Sequence, residues 1–225
     1  MRSLFLVSLP RSLSTQIYHA ARGALRLAEP SWTSDGEVLN LHRFALSREE
    51  GPAHGVRFLE RERDPDRFER LLAFLGQATA VRGFAYKDVV HPFAVAEWLP
   101  TSGLNALRID RPLADVAFAM LERGWLYPRE AAGDDGDPER QLAAGLGRAR
   151  RALASLPGPT LAFDDIVVSE RPLEESLRTL YPDADFPPPR YLDESFREVR
   201  DEVLERRKTE RYRRLEEICR EVAGD

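Results

Sequence analysis

The chain has 225 residues, of which 43% are hydrophobic and 32% charged, and its formal net charge is −5. This size suffices for one well-buried domain with a helical appendage, and the acidic balance argues against a nucleic-acid partner, which requires a basic excess. A single cysteine, Cys219, excludes an internal disulfide and a cysteine-rich metal site.

The amino-terminal segment predicts neither a signal peptide nor a membrane anchor. Its apolar stretch, residues 4–9, is short, is interrupted by Pro10 and Arg11, and is not closely followed by an A-x-A-like cleavage site. The sequence has no run of about 18 apolar residues, the length that suggests a membrane span. We therefore expect no membrane partner and a cytoplasmic location.

Apolar runs bounded by turn residues alternate with segments of helical periodicity along most of the chain. The predicted strands are residues 3–9, 82–90, 103–110 and 159–167. The predicted helices are residues 15–27, 64–78, 92–100, 111–124, 139–156 and 171–182, followed by one long charged helix over 193–223. This alternation predicts an α/β fold, a three-layer arrangement with a parallel sheet flanked by helices.

The proline-rich stretch 185–190 cannot be helical and separates two parts of the chain. We expect an α/β domain over residues 1–190 and a carboxyl-terminal amphipathic helix over 191–225. The helix carries mixed charges beside a broken apolar stripe. Two roles are open for it: packing across the domain, or a homodimer contact.

The segment PRSLST, residues 10–15, lies between the first predicted strand and the first predicted helix. A helix amino terminus presents free backbone N–H groups and favours negative charge. Arg11 adds a fork of donors, and Ser12, Ser14 and Thr15 add hydroxyls. The segment therefore predicts a binding site for a phosphate or sulfate group. The alternative is that Ser12 or Ser14 only caps the helix.

This loop contains no glycine, which excludes the nucleotide-triphosphate loop G-x-x-x-x-G-K-[ST] and the dinucleotide fingerprint G-x-G-x-x-G. It resembles instead the phosphosulfate-binding loop of the sulfotransferases, P-[KR]-S-G-[ST]-T. The resemblance implies a P-loop nucleoside-kinase-like fold, 3′-phosphoadenosine-5′-phosphosulfate (PAPS) as sulfuryl donor, no metal, and donor binding by residues 11–15. Leu13 stands at the usual glycine position, where a positive φ would strain it.

Two later segments also resemble this family, in the expected order. RIDRPLADVAFAM, residues 108–120, is similar to the strand and helix whose arginine and serine hold the donor's 3′-phosphate. Arg111 matches the arginine and Asp115 the acidic position, while Ala119 replaces the serine. Residues 160–182 are similar to a late structural segment of the family. The resemblance thus implies that Arg111 binds the donor.

The resemblance offers two candidates for the base that removes the acceptor's proton. Glu37, in a Gly-Glu turn, matches the glutamate of many bacterial and Golgi-type members and is favoured, whereas His91 matches the histidine of cytosolic-type members. Lys87, at a strand end, either contacts the sulfuryl group or is a surface lysine. Asp88 is predicted to be structural, and Trp98 to pack in the core.

The leading hypothesis is a PAPS-dependent sulfotransferase acting on a hydroxyl of a small molecule, with an amine as the weaker alternative. Residues 47–63 and 128–138 are expected to border the acceptor site. Two other hypotheses about the function stay open. One is a non-catalytic nucleotide-binding or scaffold protein with the same fold, and the other is a P-loop-type small-molecule kinase.

Overall fold

The computed structural model describes residues 2–39, 59–126 and 136–224. The strands in this part of the chain are β1 (Leu4–Ser8), β2 (Ala85–Asp88), β3 (Asn105–Asp110) and β4 (Thr160–Ala162). They pair in parallel in the order β2-β1-β3-β4. The predicted parallel sheet is therefore confirmed, with the strand before the PRSLST loop in its interior.

Helices cover both faces of the sheet. They are α1 (Ser14–Leu25), α2 (Pro65–Ala78), α3 (Pro92–Trp98), α4 (Leu113–Leu121), α5 (Pro138–Ala154), α6 (Phe163–Ile166), α7 (Arg171–Leu180), α8 (Glu194–Arg206) and α9 (Glu210–Ala223). Leu4 and Leu6 of β1 pack with α1, α6, α7 and α8, whereas Phe5 and Val7 pack with α2 to α5 and α9. This strict alternation places β1 between two apolar layers, as the three-layer prediction requires.

The start of α2 shows how local sequence sets a helix boundary. The carboxylate of Asp64 accepts a hydrogen bond from the backbone N–H of Arg67 at 3.0 Å, and Pro65 occupies the first turn. Proline suits that position because its missing N–H would have no helical partner. The predicted cap and helix are confirmed.

The fourth predicted strand is shorter than expected. Residues 159–167 were expected to be extended, but β4 ends at Ala162 and α6 begins at Phe163. Asp164 and Asp165 lie in the first turn of α6, where negative charge is favourable. The apolar run therefore serves both elements, and its hydrophobicity alone could not separate them.

The tail forms two helices within its described residues rather than the single helix that we predicted. Helix α8 ends at Arg206, and Thr209 caps α9 by accepting a hydrogen bond from the N–H of Tyr212 at 3.2 Å. Helix α9 packs against α4 and α5. A side chain on Gly147 of α5 would meet the Cβ of Ala223 at 2.4 Å, so the two helices approach closely there.

The topology brings the predicted site residues to one edge of the sheet. The chain leaves β1 for β2 on one side and then returns to β3 on the other side of β1. In open parallel sheets, ligands bind beyond the carboxyl ends of the strands at such a reversal. The PRSLST loop begins at that point. No helix in the described part of the chain is long and apolar enough to cross a bilayer.

Candidate active site

The loop that joins β1 to α1 has an unusual backbone. Arg11 and Leu13 both adopt left-handed conformations, with φ of 62° and 57°. Glycine tolerates this region freely, whereas a leucine does so at a cost of roughly 1–2 kcal/mol. Leu13, which stands at the glycine position of the sulfotransferase motif, therefore has a positive φ and a strained backbone.

The amino terminus of α1 lacks a side-chain cap among the described residues. Leu13 is the cap residue and cannot supply one, while the hydroxyl of Ser12 donates to the carbonyl of Pro10 at 3.5 Å instead. The alternative that Ser12 or Ser14 caps the helix is therefore wrong. The amides of the first turn stay available to an anion.

These residues line a cavity of about 720 Å³. Of the residues predicted for the site, those that line it are Arg11, Ser12, Leu13, Ser14, Thr15, Glu37 and Arg111. Lys87 and His91 are not part of its described lining. The segments proposed to border the acceptor site, 47–63 and 128–138, fall mostly outside the described residues.

Glu37 reaches the cavity from a short segment that pairs with β2. The N–H of Lys87 donates to the carbonyl of Gly36 at 2.8 Å, and the N–H of Val38 donates to the carbonyl of Lys87 at 3.0 Å. The Nζ of Lys87 lies 3.2 Å from Oε1 of Glu37 and donates to Oγ1 of Thr15 at 2.9 Å. The lysine thus ties Glu37 to α1.

The Gly-Glu turn requires its glycine. Gly36 has a φ of 73°, and a Cβ there would lie 2.4 Å from the ring of Tyr18. Tyr18 in turn donates its hydroxyl to the carbonyl of Ala85 in β2 at 3.1 Å, so the ring is not free to move away. The position of Glu37 therefore depends on a residue without a side chain beside it.

His91 is not part of the described cavity lining, although its neighbour Val90 is. The histidine is 2% exposed at the start of α3, and its backbone N–H donates to the carboxylate of Asp88 at 2.9 Å. Asp88 also accepts from the N–H of Val90 at 3.1 Å. Burial raises the pKa of Asp88 to about 7. Trp98 packs edge-on against Phe5 at 5.4 Å in the core.

Arg111 connects β3 to the loop. Its side chain is 4% exposed, and its Nη1 donates to the carbonyl of Arg11. The guanidinium lies 4.3 Å from the ring centroid of Phe163, and its Nε is 3.6 Å from the carboxylate of Asp115. Burial lowers the pKa of Arg111 to about 10. A buried cation therefore lines the cavity.

The tail supplies a wall that the sequence did not place. Val199, Glu202, Val203 and Arg206 of α8 line the cavity. Arg206 bonds the carboxylates of Glu122 at 2.7 Å and Glu202 at 2.5 Å. The sequence signal for this wall is the basic run at 206–214, because clustered arginine and lysine side chains favour contact with an anion.

Further cavity residues bear on the expected anion. Partial burial lowers the pKa of Arg11, and the positive charges of Arg123 and Arg206 lower it further, so these cations lie within electrostatic reach of each other. Ala119 lines the cavity at the position of the family's serine and offers no hydroxyl, and Trp125 adds an aromatic surface. Among the described residues, no group of side chains could hold a metal ion.

No family model and no curated protein matches the sequence. Solved structures do match. A sulfotransferase domain from the curacin biosynthetic pathway is 13% identical with a TM-score of 0.52, and the match covers 96% of each chain. A sulfotransferase from Alicyclobacillus acidocaldarius is 14% identical with a TM-score of 0.43, over 100% of this chain and 96% of that one. The likeness to the curacin domain shows that this chain has the fold of a sulfotransferase domain.

Proposed function

We propose that the protein transfers a sulfuryl group from PAPS to a hydroxyl, or less readily an amine, of a small-molecule acceptor. The observation that carries the proposal is one cavity in which the PRSLST loop, Arg111 and Glu37 meet. These residues offer an anion site, a buried cation and a carboxylate at the same sheet edge. Sulfuryl transfer needs a cationic cradle for the leaving phosphate and a base for the acceptor.

The donor's charges match the groups that the cavity presents. Among the described residues, four arginines line it: Arg11, Arg111, Arg123 and Arg206. The first-turn amides of α1 have no side-chain cap, and Arg111 lines the same cavity. A ligand with a phosphosulfate at one end and a second phosphate at the other would satisfy both places.

The mechanism assigns one task to each group. Glu37 accepts the proton of the acceptor hydroxyl as the hydroxyl oxygen forms its bond to sulfur. The bond between sulfur and the bridging phosphate oxygen breaks, and its electron pair stays on that oxygen. Arg11 and the α1 amides then bind the charge that develops on the leaving 5′-phosphate. Lys87 balances the charge of Glu37 before the proton arrives.

The first experiment is calorimetry with 3′-phosphoadenosine-5′-phosphate, the desulfonated donor, and with adenosine diphosphate as the comparison ligand. We expect micromolar binding that requires the 3′-phosphate and disappears in Arg111→Ala. Arg82→Ala is the matched control because that arginine is exposed near the opposite edge of the sheet, where it faces the carbonyl of Gly103. Absence of binding to a folded wild-type sample would refute the proposed function.

A non-catalytic nucleotide-binding protein is the second candidate. Leu13 under backbone strain and Ala119 without a hydroxyl are its supporting observations. Both would be tolerated if the fold were retained while catalysis was lost. Binding of the desulfonated donor without sulfuryl transfer to a broad set of hydroxyl acceptors would favour this candidate.

A further inference from the structure

Asp115 forms the centre of a charged cluster behind the cavity. Its side chain is 1% exposed, and it lies on α4 between Arg111 and the tail. Arg207, in the break between α8 and α9, donates to both of its carboxylate oxygens, from Nε at 3.1 Å and from Nη2 at 2.5 Å. This bidentate contact is the stronger type of arginine–carboxylate pairing.

Arg111 is left at a longer distance from the same carboxylate. Its Nε lies 3.6 Å from Oδ2 of Asp115, beyond hydrogen-bonding range, and makes no hydrogen bond within the described residues. The guanidinium instead bonds the carbonyl of Arg11 and stacks on Phe163. Arg207 thus makes the shorter, bidentate contact with Asp115, and Arg111 keeps only a longer ion pair with the same carboxylate.

We propose that Arg207 is a positioning residue, which holds Asp115 and thereby keeps the Arg111 guanidinium directed at the donor's anionic group. The proposal rests on the proposed function. The positioning role also accounts for the break between α8 and α9, because Arg207 contacts α4 from the turn that follows α8. It also makes the binding site depend on residues some ninety positions apart in the sequence.

The physical reason is the cost of an unpaired buried charge. If Arg207 is removed, the Asp115 carboxylate keeps one cationic neighbour, and a buried carboxylate strongly favours bidentate pairing. Arg111 would move toward Asp115 and away from the cavity and from the carbonyl of Arg11. The anion would then lose its donors, and the loop would lose a bond that supports its left-handed turn.

The experiment measures the dissociation constant for 3′-phosphoadenosine-5′-phosphate in the full-length protein. We expect Arg207→Ala to raise it about tenfold, the effect of roughly one charge-assisted hydrogen bond. Arg207→Lys keeps the charge but cannot bind both carboxylate oxygens, so it should restore little of the affinity. Asp164→Asn removes the other carboxylate partner of Arg207, at 2.7 Å, and should leave the constant within about twofold.

The decisive variant is Arg207→Ala combined with Asp115→Asn. Without the charge of Asp115, nothing draws Arg111 from the cavity, so the double variant should bind more tightly than Arg207→Ala alone. A merely structural role for Arg207 predicts no such rescue. Thermal unfolding of each variant establishes that the samples are folded.

The outcomes separate the two proposals. Suppose that the wild type binds the nucleotide. The positioning role is then overturned by an unchanged dissociation constant in Arg207→Ala, by full affinity in Arg207→Lys, or by an absence of rescue in the double variant. Each of these results leaves the proposed function intact. A wild-type protein that binds no nucleotide would overturn both.

Discussion

Lys87 and Glu37 form an ion pair, with Nζ 3.2 Å from Oε1, in which the lysine is fully buried and the glutamate is 30% exposed. Lys87 therefore stabilises the charge of Glu37 from behind, and the carboxylate lines the cavity. A base must be ionised and accessible before it can accept a proton. In the proposed mechanism, Glu37 is the accessible partner of this pair and acts as the base, while the buried Lys87 acts through Glu37.

Glu37→Gln should abolish most transfer and preserve nucleotide binding. The amide can still accept a hydrogen bond from Lys87 but cannot accept the acceptor's proton. We expect the turnover rate to fall by about 10²–10⁴-fold, the usual contribution of a general base, while calorimetry shows nearly unchanged affinity for the desulfonated donor.

His91→Gln is the variant that discriminates between the two candidate bases. Because His91 lies outside the described cavity lining, we expect it to retain most of the turnover in a folded sample. Loss of transfer in His91→Gln together with activity in Glu37→Gln would reverse the assignment.

Arg11→Ala should reduce the turnover rate by about 10²–10³-fold, because it removes a donor to the charge that forms on the leaving phosphate. Arg26→Ala is a matched control. Arg26 is also an exposed arginine in the left-handed region, with a φ of 53°, so alanine has the same backbone cost there. We expect steady-state kinetics to show this fall in the turnover rate for Arg11→Ala and almost none for Arg26→Ala. An equal fall in both variants would show that the backbone conformation, not the charge of Arg11, is responsible.

Gly36→Ala should destabilise the fold and displace Glu37. The new Cβ would meet the Tyr18 ring at 2.4 Å at a φ of 73°, and the strain should cost about 1–3 kcal/mol in the free energy of unfolding. Gly76→Ala on α2 is the control. It meets no atom within 4 Å and should stabilise the protein by about 0.5–1 kcal/mol. Urea denaturation measures both, and equal effects would contradict this account of the turn.

Asp88 should make the unfolding free energy depend on pH. Its pKa in the folded protein is raised from the ordinary value of 3.8 to about 7 because burial disfavours the carboxylate. The folded state therefore holds the extra proton between these values, so the contribution of Asp88 is complete below about pH 4 and is lost as the pH rises to about 7. A pKa difference of about three corresponds to about 4 kcal/mol.

Urea denaturation at several pH values, for the wild type and Asp88→Asn, tests this dependence. Asparagine keeps an acceptor for the N–H groups of Val90 and His91 and does not titrate. We expect the decline in stability between pH 4 and 7 to be weaker in the variant. Parallel curves would show that Asp88 is ionised in the folded protein throughout.

Local sequence was sufficient where the deciding interactions are local. Strand pleating, helix termini and capping act over a few residues. The local sequence therefore predicted β1 from the apolar run before Pro10, the start of α1 from the hydroxyl-rich loop, and α2 from the cap residue Asp64. The order of strands and helices predicted a parallel sheet, and parallel topology brings strand ends to one edge. The loop that contains Arg11 could therefore be placed at that edge from the chain itself, whereas Arg111 and Glu37 were assigned to the site only by the resemblance to the sulfotransferases.

Tertiary packing decided the rest. A hydrophobic run does not show where β4 ends and α6 begins. The charged tail does not show that its helix ends at Arg206 or that α8 lines the cavity. Contacts between residues far apart in sequence also decide three details of the site. These are the strained backbone of Leu13, the position of His91 outside the cavity lining and the ion pair between Arg207 and Asp115. Such contacts exist only once the layers have packed, because burial and distance are properties of the folded chain.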